Sequence, residues 1–299
     1  MAKYSLSDKE KLTQILQSTG VSRSELARRL EVSYKTIYRW LDLGVRPHLA
    51  QSRDIDQLFK EYVDLRGAVL AFKKGIKDPI QILKTNKGIQ KKFFLLMTYH
   101  SNAIEGSRMT IKDTQRAFEG VQVKGRELFE ILEAVNHKNA LAFLLEQIRP
   151  NFKINEEYIL KLHSLVMYNF NDKLPGRYRT GQVNLTNTEK SLPSFQDVPL
   201  KMGKLLKNIN RYGQDPLSKI ALDHYEFEAI HPFFDGNGRV GRLVMMTQLL
   251  SKGFAPALIR IEDRYKYYMA LGKGDLGDFK NMIQTVCDGV MKGYEILSA

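Results

Sequence analysis

Apolar residues recur at intervals of three and four along most of the chain, the period of helices packed on one face. Ser7 to Ser18 reads as a first helix, with Leu12, Ile15 and Leu16 on one side. Ser22, followed three residues later by Glu25, predicts a capping box at the start of a second. Ser33 caps a short third helix that carries Ile37, Trp40 and Leu41, and Gly44 and Pro47 stop it. Asp54 to Phe72 reads as one further helix, and Lys73–Lys77 as a basic break before Asp78-Pro79. From Ile89 onward the helical period returns over 88–102, 110–119, 125–149, 155–168, 198–211, 216–230, 237–252, 263–273 and 275–298. Only 183–197 departs from it. Val183, Asn184 and Leu185, then Asn187 and Pro193, read there as a short hairpin or flap. The expected fold is all-α with one small β element. The main boundary lies within 45–85, which divides the chain into 1–70 and 71–299.

Composition narrows the class. The chain has 299 residues, 43% of them hydrophobic and 26% charged, enough for one large or two modest folded domains. Its single cysteine, Cys287, excludes an intramolecular disulfide and fits a reducing, cytoplasmic setting as a small core residue. The first residues, MAKYSLSDKEK, are polar and predict no signal peptide. No apolar run approaches the ~18 residues of a membrane span, so no membrane partner is expected. The net charge of +13 is uneven: residues 1–100 hold 19 basic against 10 acidic residues, and the remainder 27 against 23. A basic first third suggests contact with a polyanion. A solvated basic surface is the alternative.

Within Arg23–Leu41, Leu26, Ala27 and Leu30 belong to the earlier helix, Val32 to the turn, and Ile37 and Trp40 to the later helix. Two helices that cross at a turn need a small residue where they touch, and Ala27 stands there. The later helix then presents Tyr34, Lys35, Thr36, Tyr38 and Arg39 outward, residue types that reach phosphates and base edges. The segment resembles the helix-turn-helix of bacterial regulators and departs from it at Glu31, where a glycine is common. Residues 22–41 are thus a candidate contact for duplex DNA, and a plain three-helix bundle packed on the large domain is the other reading. Such modules gain affinity from two half-sites, which makes a homodimer the effective form.

The chemistry is concentrated in His231-Pro232-Phe233-Phe234-Asp235-Gly236-Asn237-Gly238-Arg239-Val240-Gly241-Arg242. Pro232 disfavours helix at the residue before it, so His231 falls at the end of the 216–230 helix. Gly236 and Gly238 flank Asn237 in a tight loop, and a new helix follows with Val240, Leu243, Val244 and Thr247. A glycine-rich loop entering a helix N-terminus is an anion site, because backbone N–H groups are free there and the dipole is positive. Arg239 and Arg242, three apart, are expected to face one anion. Asp235 offers an oxygen ligand suited to Mg²⁺, which keeps waters and bridges phosphates. His231 moves a proton near neutral pH. No Gly-Lys-Ser/Thr follows, so this is not a Walker loop. The residues describe a nucleotide-phosphate site with a metal and a base.

The stretch is similar at every fixed position to the signature of the Fic family, His-Pro-Phe-x-Asp/Glu-Gly-Asn-Gly-Arg-x-x-Arg. The resemblance runs from about Asn86 to the C-terminus and includes Pro175-Gly176-Arg177-Tyr178-Arg179, which looks like the family's lead into its flap. It implies a Fic-type helical domain with protein adenylyltransferase activity, moving AMP from ATP, with Mg²⁺, to a hydroxyl side chain of a target protein. By that resemblance His231 takes the proton from the attacking hydroxyl and Asp235 holds Mg²⁺. Asn237 and the amides around Gly236 and Gly238 form the anion hole, Arg239 and Arg242 hold the β- and γ-phosphates, and Phe233 anchors the loop.

Upstream, Ser101-Asn102-Ala103-Ile104-Glu105-Gly106 reads by itself as a helix end with Gly106 just beyond it. A glutamate there opposes the helix dipole unless a cation offsets it. In the family, Ser/Thr-x-x-x-Glu-Gly/Asn marks an inhibitory helix. The resemblance implies that Glu105 pairs with Arg242 and that Ser101 steadies the helix. Asn184 to Val198 is expected over the site, aligning a target segment through backbone bonds. Tyr267 and Tyr268 are candidates for covering the adenine, Tyr268 foremost, against an ordinary core or surface role. His224 reads as a packed helix residue, and His100, His137 and His163 have no metal spacing. Two rival functions stand beside the transferase: a phosphodiesterase that strips AMP from a modified protein at the same site, and a DNA-binding regulator whose Fic domain senses nucleotide.

Overall fold

The structure is a computed structural model in which residues 6–170, 175–184 and 191–298 are described. Among them stand fifteen α-helices and two short 3-10 turns, Phe195–Asp197 and Ile261–Asp263, with no strand. The hairpin expected over 183–197 falls in large part on 185–190, which lie outside the described residues. Residues 191–194 are irregular and lead into the first 3-10 turn, so the small β element is not found among the described residues.

The chain begins with α1 (Asp8–Thr19), α2 (Arg23–Arg29), α3 (Tyr34–Leu41) and α4 (Leu49–Tyr62). The full capping box forms at α1, where Ser7 Oγ accepts from Glu10 N and the Glu10 carboxylate accepts from Ser7 N at 2.7 Å. At α2 only half of the expected box forms. Ser22 Oγ accepts from Glu25 N, but the Glu25 carboxylate turns to Arg28 and Arg29, at 2.5 and 3.2 Å. Two cations one turn away compete successfully for it against a backbone N–H. Ala27 is buried at the crossing, and Glu31 takes φ 54°, the left-handed conformation that a glycine would adopt with less strain.

The single helix expected over Asp54–Phe72 is two. Chain direction changes at Val63–Asp64, where Asp64 accepts from Arg66 N and caps α5 (Leu65–Gly75). The apolar period crosses the break because both helices face the same core. The basic break expected at Lys73–Lys77 is helical as far as Gly75, the end of α5, and Asp78 with the Pro79 after it starts a short α6 (Pro79–Thr85) to which the sequence pattern assigns no element. Then come α7 (Lys87–Ile104), α8 (Ile111–Phe118), α9 (Leu128–Gln147), α10 (Glu156–Val166), α11 (Val198–Ile209), α12 (Pro216–Ile230), α13 (Asn237–Ser251), α14 (Arg264–Asp275) and α15 (Lys280–Leu297).

Helix α13 is the axis of the fold. Every residue from Arg239 to Ser251 is buried, and α7, α9, α10 and α12 pack around it. Its buried polar side chains, Arg239, Arg242, Thr247 and Gln248, must therefore find partners inside the protein. Helix α12 lies against α11 and α15, and α5 also lies on α15. One continuous hydrophobic core runs from Leu12 to Leu297. Gln284 of α15 fastens the α4–α5 corner, donating to the Val63 carbonyl at 2.6 Å and accepting from Leu65 N at 3.0 Å. A boundary at 70/71 would cut α5. We propose instead that the two parts meet at Val63–Asp64, with α4 set against α15 through Lys60, which Gln284 and Asp288 bind.

Candidate active site

Helix α12 stops because His231 leaves the helical conformation. Its φ and ψ are 51° and 63°, while its N–H still donates to the Phe227 carbonyl at 3.0 Å. A left-handed residue with a full side chain costs about 1–3 kcal/mol and persists only where its surroundings hold it. Two residues supply that hold. Arg179 donates through Nε to the His231 carbonyl and through its own N–H to the Pro232 carbonyl, both at 2.9 Å. His163 of α10 stacks on Phe233 with ring centroids 3.7 Å apart. Its Nδ1 accepts from Gly176 N at 2.9 Å, which leaves Nε2–H to donate to the Asp235 carbonyl at 3.2 Å. Burial pushes the His163 pKa down to about 4, so the ring is neutral. The sequence reading gave His163 no role; its only signal is a place seventy residues upstream that the fold alone brings to the loop.

Phe233 is fully buried, as an anchor should be. The Asn237 side chain closes the loop from inside, accepting from Phe233 N at 2.8 Å and donating to the Phe233 carbonyl at 2.9 Å. Its amide is therefore spent within the loop, and only its backbone N–H is free to face an anion. Gly236, at φ 76°, starts α13, whose unpaired first-turn N–H groups open at Gly238 into a cavity of about 160 Å³. Glu105, Glu228, Asp275, His231, Gly238 and Arg242 supply its charged and polar lining, and Leu192, Tyr225, Tyr267, Tyr268 and Leu271 its apolar and aromatic lining. Burial lowers the His231 pKa. The Glu228 carbonyl and the Glu105 and Asp235 charges pull it the other way, and Arg179 adds to the lowering. The imidazole is thus a free base at neutral pH.

Arg242 is buried and reaches back to α7. Nε donates to Ser101 Oγ at 3.0 Å, Nη2 to the Ser101 carbonyl at 2.9 Å, and Nη2 also to Glu105 Oε1 at 2.8 Å. Ser101 therefore grips the guanidinium directly rather than only steadying its helix. Burial works against the Arg242 charge, yet Glu105, Tyr267 and Glu228 hold its pKa above the ordinary arginine value. On the cavity lining two buried atoms, Arg242 Nη1 and Glu228 Oε1, have no partner among the described residues. Burial raises the Glu228 pKa to about 8, with Arg242 lowering it and Glu105 adding to the rise, so this carboxyl is largely uncharged at pH 7. A β-carbon at Gly238 would overlap the Glu105 carboxylate, so glycine there admits that side chain as well as the loop.

Residues 153–249 match the Fic/DOC family. The chain carries a Fic domain. Over 218 residues it is 32% identical to "Protein adenylyltransferase Fic" of Nematostella vectensis, covering 70% of this chain and 49% of that one. It is 30% identical over 202 residues to "Protein adenylyltransferase fic-1" of Caenorhabditis elegans, covering 66% and 40%. The chain spans about half or less of the length of these curated relatives. Among solved structures, Fic-1 of C. elegans superposes with a TM-score of 0.68 at 22% identity, over 92% of this chain and 84% of that one. A Fic family protein of Desulfovibrio desulfuricans superposes at 0.65 with 26% identity, over 77% and 73%. The helical architecture is thus that of Fic proteins.

Within the Fic domain the two signature arginines part company. Arg242 lines the cavity, whereas Arg239 points away to Glu133 of α9, at 2.8 Å, and back to Asp235, at 3.3 Å. Burial raises the Glu133 pKa, and Arg239 opposes that rise. Glu133 escaped the sequence reading because nothing in its helix marks it out. Asp235 stays largely exposed, with one oxygen also accepting from Gly236 N at 2.5 Å. Tyr268 is half-buried on the cavity wall, and its hydroxyl donates to the Ile104 carbonyl at 3.3 Å, next to Glu105. Tyr267 is buried, its hydroxyl 2.8 Å from His224 Nε2. His224 and His137 are packed and neutral, each pushed down to about 3 by burial. His100 is lowered to about 4 for the same reason, and its Nδ1 accepts from Ile261 N at 3.1 Å.

Proposed function

We propose that the chain is an ATP-dependent protein adenylyltransferase, held in check by Glu105, that moves AMP onto a hydroxyl side chain of a target protein. One observation carries this reading: a free-base His231, the N-terminus of α13 and Arg242 surround a single cavity. Neutral His231 takes the proton of the attacking hydroxyl. The hydroxyl oxygen bonds to the α-phosphorus of ATP, the bond from that phosphorus to the bridging oxygen breaks, and pyrophosphate departs with the electron pair. First-turn N–H groups at Gly238 stabilise the developing charge, and Arg242 offers its unpartnered Nη1 to the outer phosphates. Tyr268 and the apolar wall take the adenine. Arg239, held by Glu133, orients the loop and Asp235.

Mg²⁺ fits this arrangement. No cluster of three or more His, Cys, Asp or Glu is placed to hold a metal among the described residues. A lone exposed carboxylate beside a phosphate site is the donor set of a magnesium ion shared with substrate. When bound, the ion shields phosphate charge. Asp235 would hold it. Transfer of labelled AMP to protein tests the reading. Asp235→Ala, or excess chelator, should lower transfer at least ~10²-fold on that shielding argument. Equal transfer in excess chelator would give Asp235 a different role.

A second activity is favoured by the N-terminal helices. The turn keeps its geometry despite Glu31, and α3 leaves Tyr34, Lys35, Tyr38 and Arg39 exposed, with Tyr34 at 53% and Tyr38 at 43%. We propose that residues 22–41 contact duplex DNA, most strongly as a homodimer on two half-sites. The full chain should retain duplex DNA at low salt and release it as salt rises, and Lys35→Ala and Arg39→Ala should each flatten that salt slope by about 1. Absence of binding at low salt would leave α1–α4 a docking element. No helix among the described residues is long and apolar enough to cross a membrane. The buried thiol of Cys287 fits the cytoplasmic setting that we propose.

A further inference from the structure

Arg179 is among the largest fully buried side chains, and no carboxylate pairs with it among the described residues. Its guanidinium is satisfied by backbone carbonyls instead. Nε donates to His231 at 2.9 Å, Nη1 to Gly181 at 3.2 Å, and Nη2 to Pro193 at 2.6 Å. The three carbonyls belong to three places that matter to the cavity. His231 carries the free base. Pro193 follows Leu192, which lines the cavity. Gly181 packs against the ring of Phe234 in the signature loop. A buried cation held by carbonyls alone is an expensive way to fasten a loop, since its burial is repaid only by bonds made in good geometry. A planar fork with fixed donor directions can hold three peptides in one register, which a lysine cannot.

We propose that Arg179 is a positioning residue for the transfer step, fixing the left-handed His231 peptide in register with the Leu192–Pro193 wall of the nucleotide cavity. The inference rests on the transferase reading above. It assigns Arg179 no contact with substrate; its effect passes through His231. The strain at His231 supports it, because that peptide needs an external hold and Arg179 supplies one on either side of Pro232, Nε donating to the His231 carbonyl and the backbone N–H to the Pro232 carbonyl. Only the first is lost on substitution, so the loop should remain folded while the base loses its exact placement.

The test is made in the Glu105→Gly protein, with Arg179→Lys and Arg179→Gln added singly. Total label transfer from ATP to protein, auto-modification included, is measured under single turnover beside the ATP Kd and the melting temperature. Both variants should bind ATP within about 2-fold of the parent yet transfer up to ~10²-fold more slowly, since a misplacement of the order of 1 Å suffices for that loss. Lysine keeps the charge but not the fork, so it should not rescue the rate. A purely structural role would instead weaken ATP binding and lower the melting temperature in step with the rate. That outcome, a failure of both variants to fold, or transfer equal to the parent would each overturn the inference. A Glu105→Gly parent that binds ATP but transfers nothing would remove the transferase reading, and this inference with it.

Discussion

His231→Ala should reduce AMP transfer by about 10²–10⁴-fold, the range that a positioned general base contributes, while ATP still binds. The expected separation of binding from chemistry follows from the geometry. The loop is closed by Asn237 on Phe233 and supported by His163 on the Asp235 carbonyl, and none of these bonds involves the imidazole. The Arg179 side chain likewise acts on the His231 carbonyl, not its ring. Alanine tolerates the left-handed peptide no better than histidine, so some local loosening is expected, and ATP Kd should be measured beside the rate. The pH profile gives a second reading of the same residue. Burial lowers the His231 pKa from 6.5, so the base form persists as pH falls through 6.5, and the acid limb of transfer should lie below that value. An acid limb above 6.5, or a His231→Ala protein with undiminished transfer, would assign the base elsewhere.

The signature loop was legible in the sequence because its chemistry is local. Twelve consecutive residues hold the base, the loop glycines and the cavity arginine, and Pro232 announces the end of α12. The Glu105–Arg242 pair spans 137 positions and was reached only through family resemblance; the structure places the two groups 2.8 Å apart. What stayed hidden depends on long-range packing. Spacing suggested that Arg239 and Arg242 share an anion, but a residue in the first turn of α13 meets α9, and Glu133 claims Arg239. His163 and Arg179 bind backbone carbonyls, which leave no trace in residue type at the partner position. Glu228, one turn before His231, could have been noticed by its spacing, yet its uncharged state follows from burial that no sequence pattern reveals. The helix break at Asp64 was missed for a related reason: two helices facing one core continue the same apolar period across a cap.

Glu105→Gly should raise transfer by at least an order of magnitude, on the same positioning argument that makes a small displacement cost about 10²-fold. In the structure the Glu105 carboxylate holds Arg242 Nη2 at 2.8 Å and lies where a β-carbon on Gly238 would stand, against the α13 N-terminus. It thus competes with a phosphate for both the guanidinium and the free N–H groups. On the proposed reading, ATP that binds with Glu105 in place would lack its outer-phosphate ligand, and its α-phosphorus would be turned away from the line of attack. Glycine removes the charge and the bulk together. Ser101 keeps its two bonds to Arg242, so the guanidinium should stay in position. Arg242→Ala frees Glu105 equally but deletes the phosphate ligand, so it should not activate; comparing the two separates released inhibition from loss of a charge pair. The assay is labelled AMP transfer by the parent chain, Glu105→Gly, Arg242→Ala, and Glu105→Gly combined with His231→Ala, the last of which should return to background. A Glu105→Gly protein no faster than its parent would end the inhibitory assignment. If it instead lost the capacity to strip AMP from a modified protein, Glu105 would be aligning a water for hydrolysis, and the phosphodiesterase reading would displace the transferase.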